Sequence, residues 1–73
     1  EESMREVAHA ITLLPNNYRI VLMYTIYMQL KDEEIADIMN TSPANIRKIR
    51  SRARQRLKEI LIDRKWGDKY EED

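Results

Sequence analysis

Residues 42–58 read SPANIRKIRSRARQRLK and combine a helix start, an apolar stripe and a row of positive charge. Ser42 can accept a hydrogen bond from a free backbone N–H group, and Pro43 suits the first helical position, where its missing N–H costs nothing. Apolar residues then recur at helical spacing at Ile46, Ile49, Ala53, Leu57, Ile60 and Leu61. The stretch therefore predicts a helix with one buried face.

The other face of this helix carries seven basic residues between Ile46 and Lys58 and no acidic one. At about 100° per residue, the side opposite the apolar stripe presents Arg47, Lys48, Ser51, Arg52 and Gln55. An arginine there can donate two parallel hydrogen bonds to guanine, whereas Arg54, Arg56 and Lys58 on the flanks are better placed for phosphates. A basic helix face is often simply solvated, so the pattern alone leaves DNA contact and a solubilising role equally open.

The residues before this stretch predict three further helices. The spacing Ser3-x-x-Glu6 has the form of a capping box and predicts a first helix near residues 4–13. Pro15 ends that helix and can open a second one, which is expected to run to residue 27 or 28. The break that follows is predicted at residues 29–31.

A third, shorter helix is predicted from Asp32 or Glu33 to Met39. Its expected inward residues are Ile35, Ala36, Ile38 and Met39. Only residues 40–42 connect it to the fourth helix, and Asn40 can adopt left-handed backbone geometry at little cost. Two helices joined by so short a turn cross steeply, as in a helix-turn-helix.

The fourth helix is expected to end near Lys65, with Gly67 as its stop. We therefore predict an all-α fold, a small four-helix domain over residues 1–65 with a C-terminal helix-turn-helix, followed by an acidic tail over residues 66–73. The 73 residues allow one such core and no second domain.

Composition narrows the function classes. There is no Cys and only one His, so neither a disulfide framework nor a zinc site is expected. We see no nucleophile with a base, no phosphate loop and no ligand set, and we therefore predict neither an enzyme nor a cofactor. No apolar run approaches the length of about 18 residues that a membrane span needs, and no signal peptide is recognisable, which predicts a cytoplasmic protein without a membrane partner.

The formal net charge is zero, but the two signs are separated along the chain. Residues 1–40 carry three basic and seven acidic side chains, residues 41–65 carry nine and two, and residues 66–73 carry one and four. A polyanion should therefore contact the last helix and its flanks, while the acidic half faces away from it, toward a protein partner.

Three blocks of the sequence, in order, resemble region 4 of the sigma-70 class of bacterial RNA polymerase sigma factors, especially the extracytoplasmic-function type. LPNNYRIVLMY at residues 14–24 is similar to the start of the family's second helix. EEIADIMNTS at residues 33–42 is similar to its Glu-Ile-Ala helix and turn, and NIRKIRSRARQRLK at residues 45–58 is similar to its recognition helix. The resemblance covers nearly the whole chain.

The resemblance implies a domain that reads the minus thirty-five promoter element as part of the polymerase holoenzyme. It places Arg47, Lys48, Ser51 and Arg52 at base-contacting positions and Ser42 near a phosphate. Our candidate DNA-binding residues are Ser42, Asn45, Arg47, Lys48, Ser51, Arg52, Arg54, Gln55 and Lys58. It also implies that the apolar and aromatic surface of the first two helices docks on the flap of core RNA polymerase, where anti-sigma proteins compete.

The chain departs from the family pattern at four places. Gln29 and Lys31 stand where a Gly and a Ser are usual, and Asn40 replaces the common turn Gly. Ile49-Arg50 inverts the usual order of a basic and an apolar residue, which we expect to rotate the recognition helix slightly.

Two other functions remain open from the sequence. A helix-turn-helix regulator of the response-regulator type would use a similar recognition helix, but it would not need the LPNNYR block and commonly dimerises on repeated half-sites. A helical partner-binding module, such as an anti-sigma target, would use the first two helices and keep the cationic helix for solubility. DNA binding should weaken steeply with salt, whereas an apolar partner contact should change little.

Overall fold

The computed structural model describes the backbone of residues 2–71 and the side chains of residues 4–63. It contains four helices, α1 (Glu2–Ile11), α2 (Asn16–Ile26), α3 (Asp32–Met39) and α4 (Pro43–Glu71). Residues 2–71 contain no strand, so the predicted all-α fold with four helices is confirmed. No helix in this range is both long enough and apolar enough to cross a membrane.

The core consists of two clusters that share α2 and α4. The first cluster joins α1, α2 and α4 through Ile11, Leu14, Leu22 and Ala53. The second joins α2, α3 and α4 through Val21, Ile35, Ala36 and Ile46. Burying a side chain such as Ile or Leu completely stabilises a fold by about 1.5–3 kcal/mol. The apolar stripe of α4 contributes Ala53 to one cluster and Ile46 to the other, so both clusters depend on it.

The first helix lies slightly earlier in the chain than we expected. It begins at Glu2 and ends at Ile11, because the amides of residues 12–14 turn back in short i to i−3 hydrogen bonds of 3.0–3.1 Å. Ser3 thus lies within the first turn of the helix and not before it, and the side chain needed for the expected capping box lies outside the described residues. Pro15 precedes α2 with a φ of −53° and an extended ψ of 154°, as its ring favours.

Two residues with positive φ shape the connections around α3. Gln29, at a position where the resemblance implies Gly, has a φ of 55°, and the next amide, from Leu30, donates to the carbonyl of Tyr24 at 3.1 Å. Asn40 has a φ of 57°, which confirms the left-handed turn expected from its side chain. The Thr41 amide donates to the Ala36 carbonyl at 2.9 Å and the Asn40 amide to Asp37 at 3.3 Å, which is the Schellman arrangement of a helix end.

Two further expectations about the helices were wrong. The fourth helix continues past Gly67 to Glu71, since a single helical Gly costs only about 1 kcal/mol relative to Ala and no Pro follows it. Ile38 was expected to face inward but is 54% exposed, because the buried face of the eight-residue α3 is already formed by its neighbours Ile35, Ala36 and Met39. The division between a domain at 1–65 and an acidic tail at 66–73 stays a prediction, because the side chains beyond residue 63 are not described.

Candidate nucleic-acid interface

The start of α4 is fixed by the residues of the preceding turn. The Asn45 amide donates to Ser42 Oγ at 3.1 Å, which confirms Ser42 as the residue that caps the helix. The side-chain amide of Asn45 donates to Thr41 Oγ1 at 2.9 Å. Two side-chain hydrogen bonds therefore fix the first turn of α4 against the turn that connects it to α3.

All nine candidate DNA-binding side chains lie on the exposed surface of α4 and its cap. The opposite side of the helix is buried at Ile46 and Ala53 and partly buried at Ile49, Leu57 and Ile60. The predicted division of α4 into a buried stripe and a cationic face is therefore present in the structure. From Ser42 to Lys58 the candidates extend over about 24 Å of helix at the usual rise per residue.

Two shallow, open depressions run along this cationic face, one on each side of a crest formed by Ser51 and Gln55. The first depression is lined by Arg47, Arg50, Ser51, Arg54, Gln55 and Lys58. The second is lined by Tyr18, Ser51, Arg52, Gln55, Arg56 and Glu59. Ser51 and Gln55 line both depressions, and Ser51 has the shortest side chain among the lining residues.

An acidic residue ends the positive row. Glu59 accepts hydrogen bonds from Gln55 Nε2 and from Arg56 Nη1, both at 3.3 Å. This carboxylate follows Lys58 directly and neutralises part of the charge at the end of the face. The uninterrupted cationic surface therefore ends at Lys58.

Arg50 does not belong to the exposed face, and sequence reasoning did not assign it a partner. Its side chain is 16% exposed and turns toward α3, where Nη1 lies 2.6 Å from Asp32 Oδ1 and Nη2 donates to Oδ2 at 2.9 Å. Nη1 also lies 3.4 Å from the hydroxyl oxygen of Thr25, whose hydroxyl donates to the Val21 carbonyl at 2.8 Å. Arg50 thus links α2, α3 and α4.

The contact between Arg50 and Asp32 shifts the pKa values of both side chains. The two hydrogen bonds from Arg50 lower the pKa of Asp32 below its ordinary value, although partial burial acts in the opposite direction. The same contact raises the pKa of Arg50. Both side chains are therefore charged at neutral pH. The pair also accounts for the inverted Ile49-Arg50 order, because Ile49 packs on the second core cluster while Arg50 reaches Asp32.

Arg47, the first of the expected base-contacting residues, shares the same carboxylate. Its Nη1 lies 3.7 Å from Asp32 Oδ2, and its side chain is 60% exposed. One nitrogen at the edge of the Arg47 guanidinium is therefore close to α3, while the rest of the group remains accessible to a ligand.

A separate apolar surface lies at the C-terminal end of α2 and on the two residues that follow it. Met23, Ile26 and Tyr27 are exposed there by 43%, 39% and 50%, and Met28 follows at 60%. Two residues of α1 and the turn after it, Met4 and Leu13, are also more than half exposed. This is the surface of the first two helices that the sequence assigned to a protein partner.

Comparison with known proteins places this arrangement in a family. Residues 4–57 match the family model described as sigma-70, region 4. The chain belongs to this family. The match includes all of α2 and α3 and ends at Leu57 in the basic part of α4. In sigma factors, region 4 is a DNA-binding domain that recognises the minus thirty-five element. The family has no enzymatic activity. No curated protein and no solved structure gives a significant match to the chain.

Proposed function

We propose that this region 4 domain belongs to a sigma factor of the extracytoplasmic-function type and helps to direct transcription initiation in the bacterial cytoplasm. In this role α4 binds the minus thirty-five element in the major groove, while α1 and α2 dock on core RNA polymerase. The observation that carries the proposal is the continuous exposed cationic face of α4, which lies almost wholly within the residues that match the family.

The cationic face is long enough for some of its residues to contact bases and for others to contact phosphates. The face extends over about 24 Å, whereas the major groove is about 12 Å wide. A helix that crosses the groove at an angle enters it with only part of this length, and we assign the base edges to Arg47, Lys48, Ser51 and Arg52. Residues at its two ends, Ser42 and Lys58, reach the phosphates of the two strands.

The exposed apolar surface of α2 supports a protein partner. Contiguous apolar side chains on a small soluble domain commonly mark a protein contact. Met23, Ile26 and Tyr27 follow one another at helical spacing and carry no charge, unlike the opposite side of the domain. We assign this surface to the flap of core RNA polymerase, and an anti-sigma protein that covers it would block the same contact.

Binding to DNA and binding to polymerase can be tested separately. Fluorescence anisotropy with duplexes that carry a randomised six-base-pair segment should detect binding that weakens steeply between 50 and 200 mM salt, as about four or more phosphate contacts require. Pull-down of bacterial core RNA polymerase by the tagged chain should succeed in the absence of DNA. Tyr27→Glu should abolish this capture, whereas Ile38→Glu, which places the same charge on an equally exposed apolar position of α3, should not.

Three results would contradict the proposal. A chain that captures polymerase but binds no duplex would be a partner-binding module. Binding that requires two copies of the chain on repeated half-sites, without capture of polymerase, would indicate a regulator of the response-regulator type. Equal loss of capture in Tyr27→Glu and Ile38→Glu would remove α2 as the docking surface.

A further inference from the structure

Asp32 is an acidic residue beside a DNA-binding face, which is unexpected because a carboxylate near DNA repels phosphates. It lies at the start of α3, and its side chain is 21% exposed. Its two oxygens accept the fork of Arg50, and Oδ2 also lies 3.7 Å from Arg47 Nη1. The carboxylate therefore contacts two arginines that are three residues apart on α4.

The two arginines differ in what remains available to a ligand. The Arg50 guanidinium is mostly buried and uses donors on Asp32 and Thr25, so it adds little to the charge that DNA meets. The Arg47 guanidinium is 60% exposed and meets Asp32 only at its edge, which leaves donors free for a base. Because Arg50 holds the carboxylate in place, the carboxylate is a fixed contact for the exposed side chain of Arg47.

We propose that Asp32 is a positioning residue for base recognition, which orients the Arg47 guanidinium toward one base pair and withholds it from the phosphates. This inference rests on the proposed function of α4. A fixed orientation favours a specific base because a planar guanidinium discriminates only when its two donors point along the acceptors of guanine. The cost is a lower general affinity for DNA, since the carboxylate offsets one positive charge.

The test compares the base preferences of four chains, namely the native chain, Asp32→Asn, Arg47→Ala and the double variant. Each is mixed with the library of duplexes carrying a randomised segment, and the bound fraction is sequenced. Arg47→Ala should reduce the preference at one base pair by roughly 10-fold, within the range of a bidentate arginine contact. Asp32→Asn should reduce the preference at the same base pair by about 2- to 5-fold, as expected for an exposed ion pair. The double variant should match Arg47→Ala.

Glu33→Gln is the matched control, because it removes the same charge from the neighbouring, exposed residue of α3. Both Asp32→Asn and Glu33→Gln should strengthen binding to DNA of mixed sequence at low salt, whereas only Asp32→Asn should lower the preference at the base pair read by Arg47. A purely structural role for Asp32 would instead weaken binding to all sequences alike.

The inference is overturned if Asp32→Asn leaves all preferences unchanged, or if the effects of the two single variants simply add in the double variant. If the native chain binds no duplex in a salt-dependent way, the proposed function fails together with the inference. If Asp32→Asn does not fold, NMR of the native chain replaces it. The side-chain Nε–H signals of Arg47 and Arg50 should then shift together as Asp32 is protonated, and a shift of Arg50 alone would overturn the inference.

Discussion

Replacing Arg50 by Met should destabilise the domain, because it removes the polar link between α2, α3 and α4. Met retains most of the aliphatic length of Arg, so the change mainly removes the guanidinium. Loss of one partner from a fully buried ion pair costs about 3–5 kcal/mol, and an exposed pair contributes about 0–1 kcal/mol. Arg50 and Asp32 are 16% and 21% exposed, so their pair lies between these limits. We expect a loss of about 1–2 kcal/mol.

This loss is large for a domain of 73 residues, whose total stability is expected to be about 4–11 kcal/mol. It should lower Tm by roughly 5–15 °C, since about 1 kcal/mol shifts Tm by 4–8 °C in a domain of this size. Urea denaturation followed by circular dichroism at pH 7 gives the free energy of unfolding directly. Arg56→Met is the control, because Arg56 is 60% exposed and pairs with Glu59 at 3.3 Å on the same helix. It should cost less than about 0.5 kcal/mol.

The difference between the native chain and Arg50→Met should also depend on pH. The pKa of Asp32 is lowered in the folded protein, so its contribution to stability is complete above the pKa of the unfolded chain, about 4. It is lost as the pH falls through the lower pKa of the folded state. Arg50→Met and the native chain should therefore approach each other in stability below pH 4. Equal effects of Arg50→Met and Arg56→Met, or a difference that is the same at pH 7 and pH 3, would refute the reasoning.

Three further predictions concern the turn and the cationic face. Ser42→Ala should lower the free energy of unfolding by about 1 kcal/mol through loss of the helix cap, and an unchanged urea midpoint would contradict the role of that hydrogen bond. Asn40→Ala should destabilise the domain by about 1 kcal/mol because the φ of residue 40 is positive, whereas Asn40→Gly should be close to neutral. Thermal melting of both variants tests this prediction. Equal losses of stability would argue against backbone conformation as the cause. Lys58→Ala should weaken binding to every duplex alike and reduce the slope of log K against log salt by about one, while Arg47→Ala should act at one base pair. Anisotropy at two salt concentrations separates the two variants. A selective effect of Lys58→Ala would indicate that Lys58 contacts a base and not a phosphate.

The fold could be predicted where local chemistry decides it. The cap at Ser42, the left-handed Asn40 and the apolar stripe of α4 each depend on residues within one or two helical turns, and the structure contains all three. The positive φ of Gln29 depends on the backbone path between α2 and α3, and the only signal in the sequence was that Gln replaces a family Gly there. The end of α4 was misplaced because the preference of one Gly is too weak to end a helix.

The contact between Arg50 and Asp32 could not be predicted, because the two residues are 18 positions apart and meet only when α3 crosses α4. A signal was nevertheless present in the helical arrangement of α4. At about 100° per residue Arg50 lies some 40° from the fully buried Ile46, within the apolar stripe and not on the cationic face. A charged residue in that position requires a partner of opposite charge, and the acids of α3 were among the candidates.

The packing of α2 on α4 sets the thickness of the domain between DNA on α4 and a protein partner on α2. Val21 and Leu22 bury one side of α2 against α4, while Met23 on the same helix is exposed. Packed helices lie about 8–10 Å apart, so only two helix layers separate the cationic face of α4 from the apolar side of α2. A protein bound to that apolar side would therefore stand about 20 Å from the floor of the groove, given a helix diameter of about 10 Å. The domain would then act as a spacer of fixed thickness, and the distance between DNA and its protein partner would follow from the width of two helices.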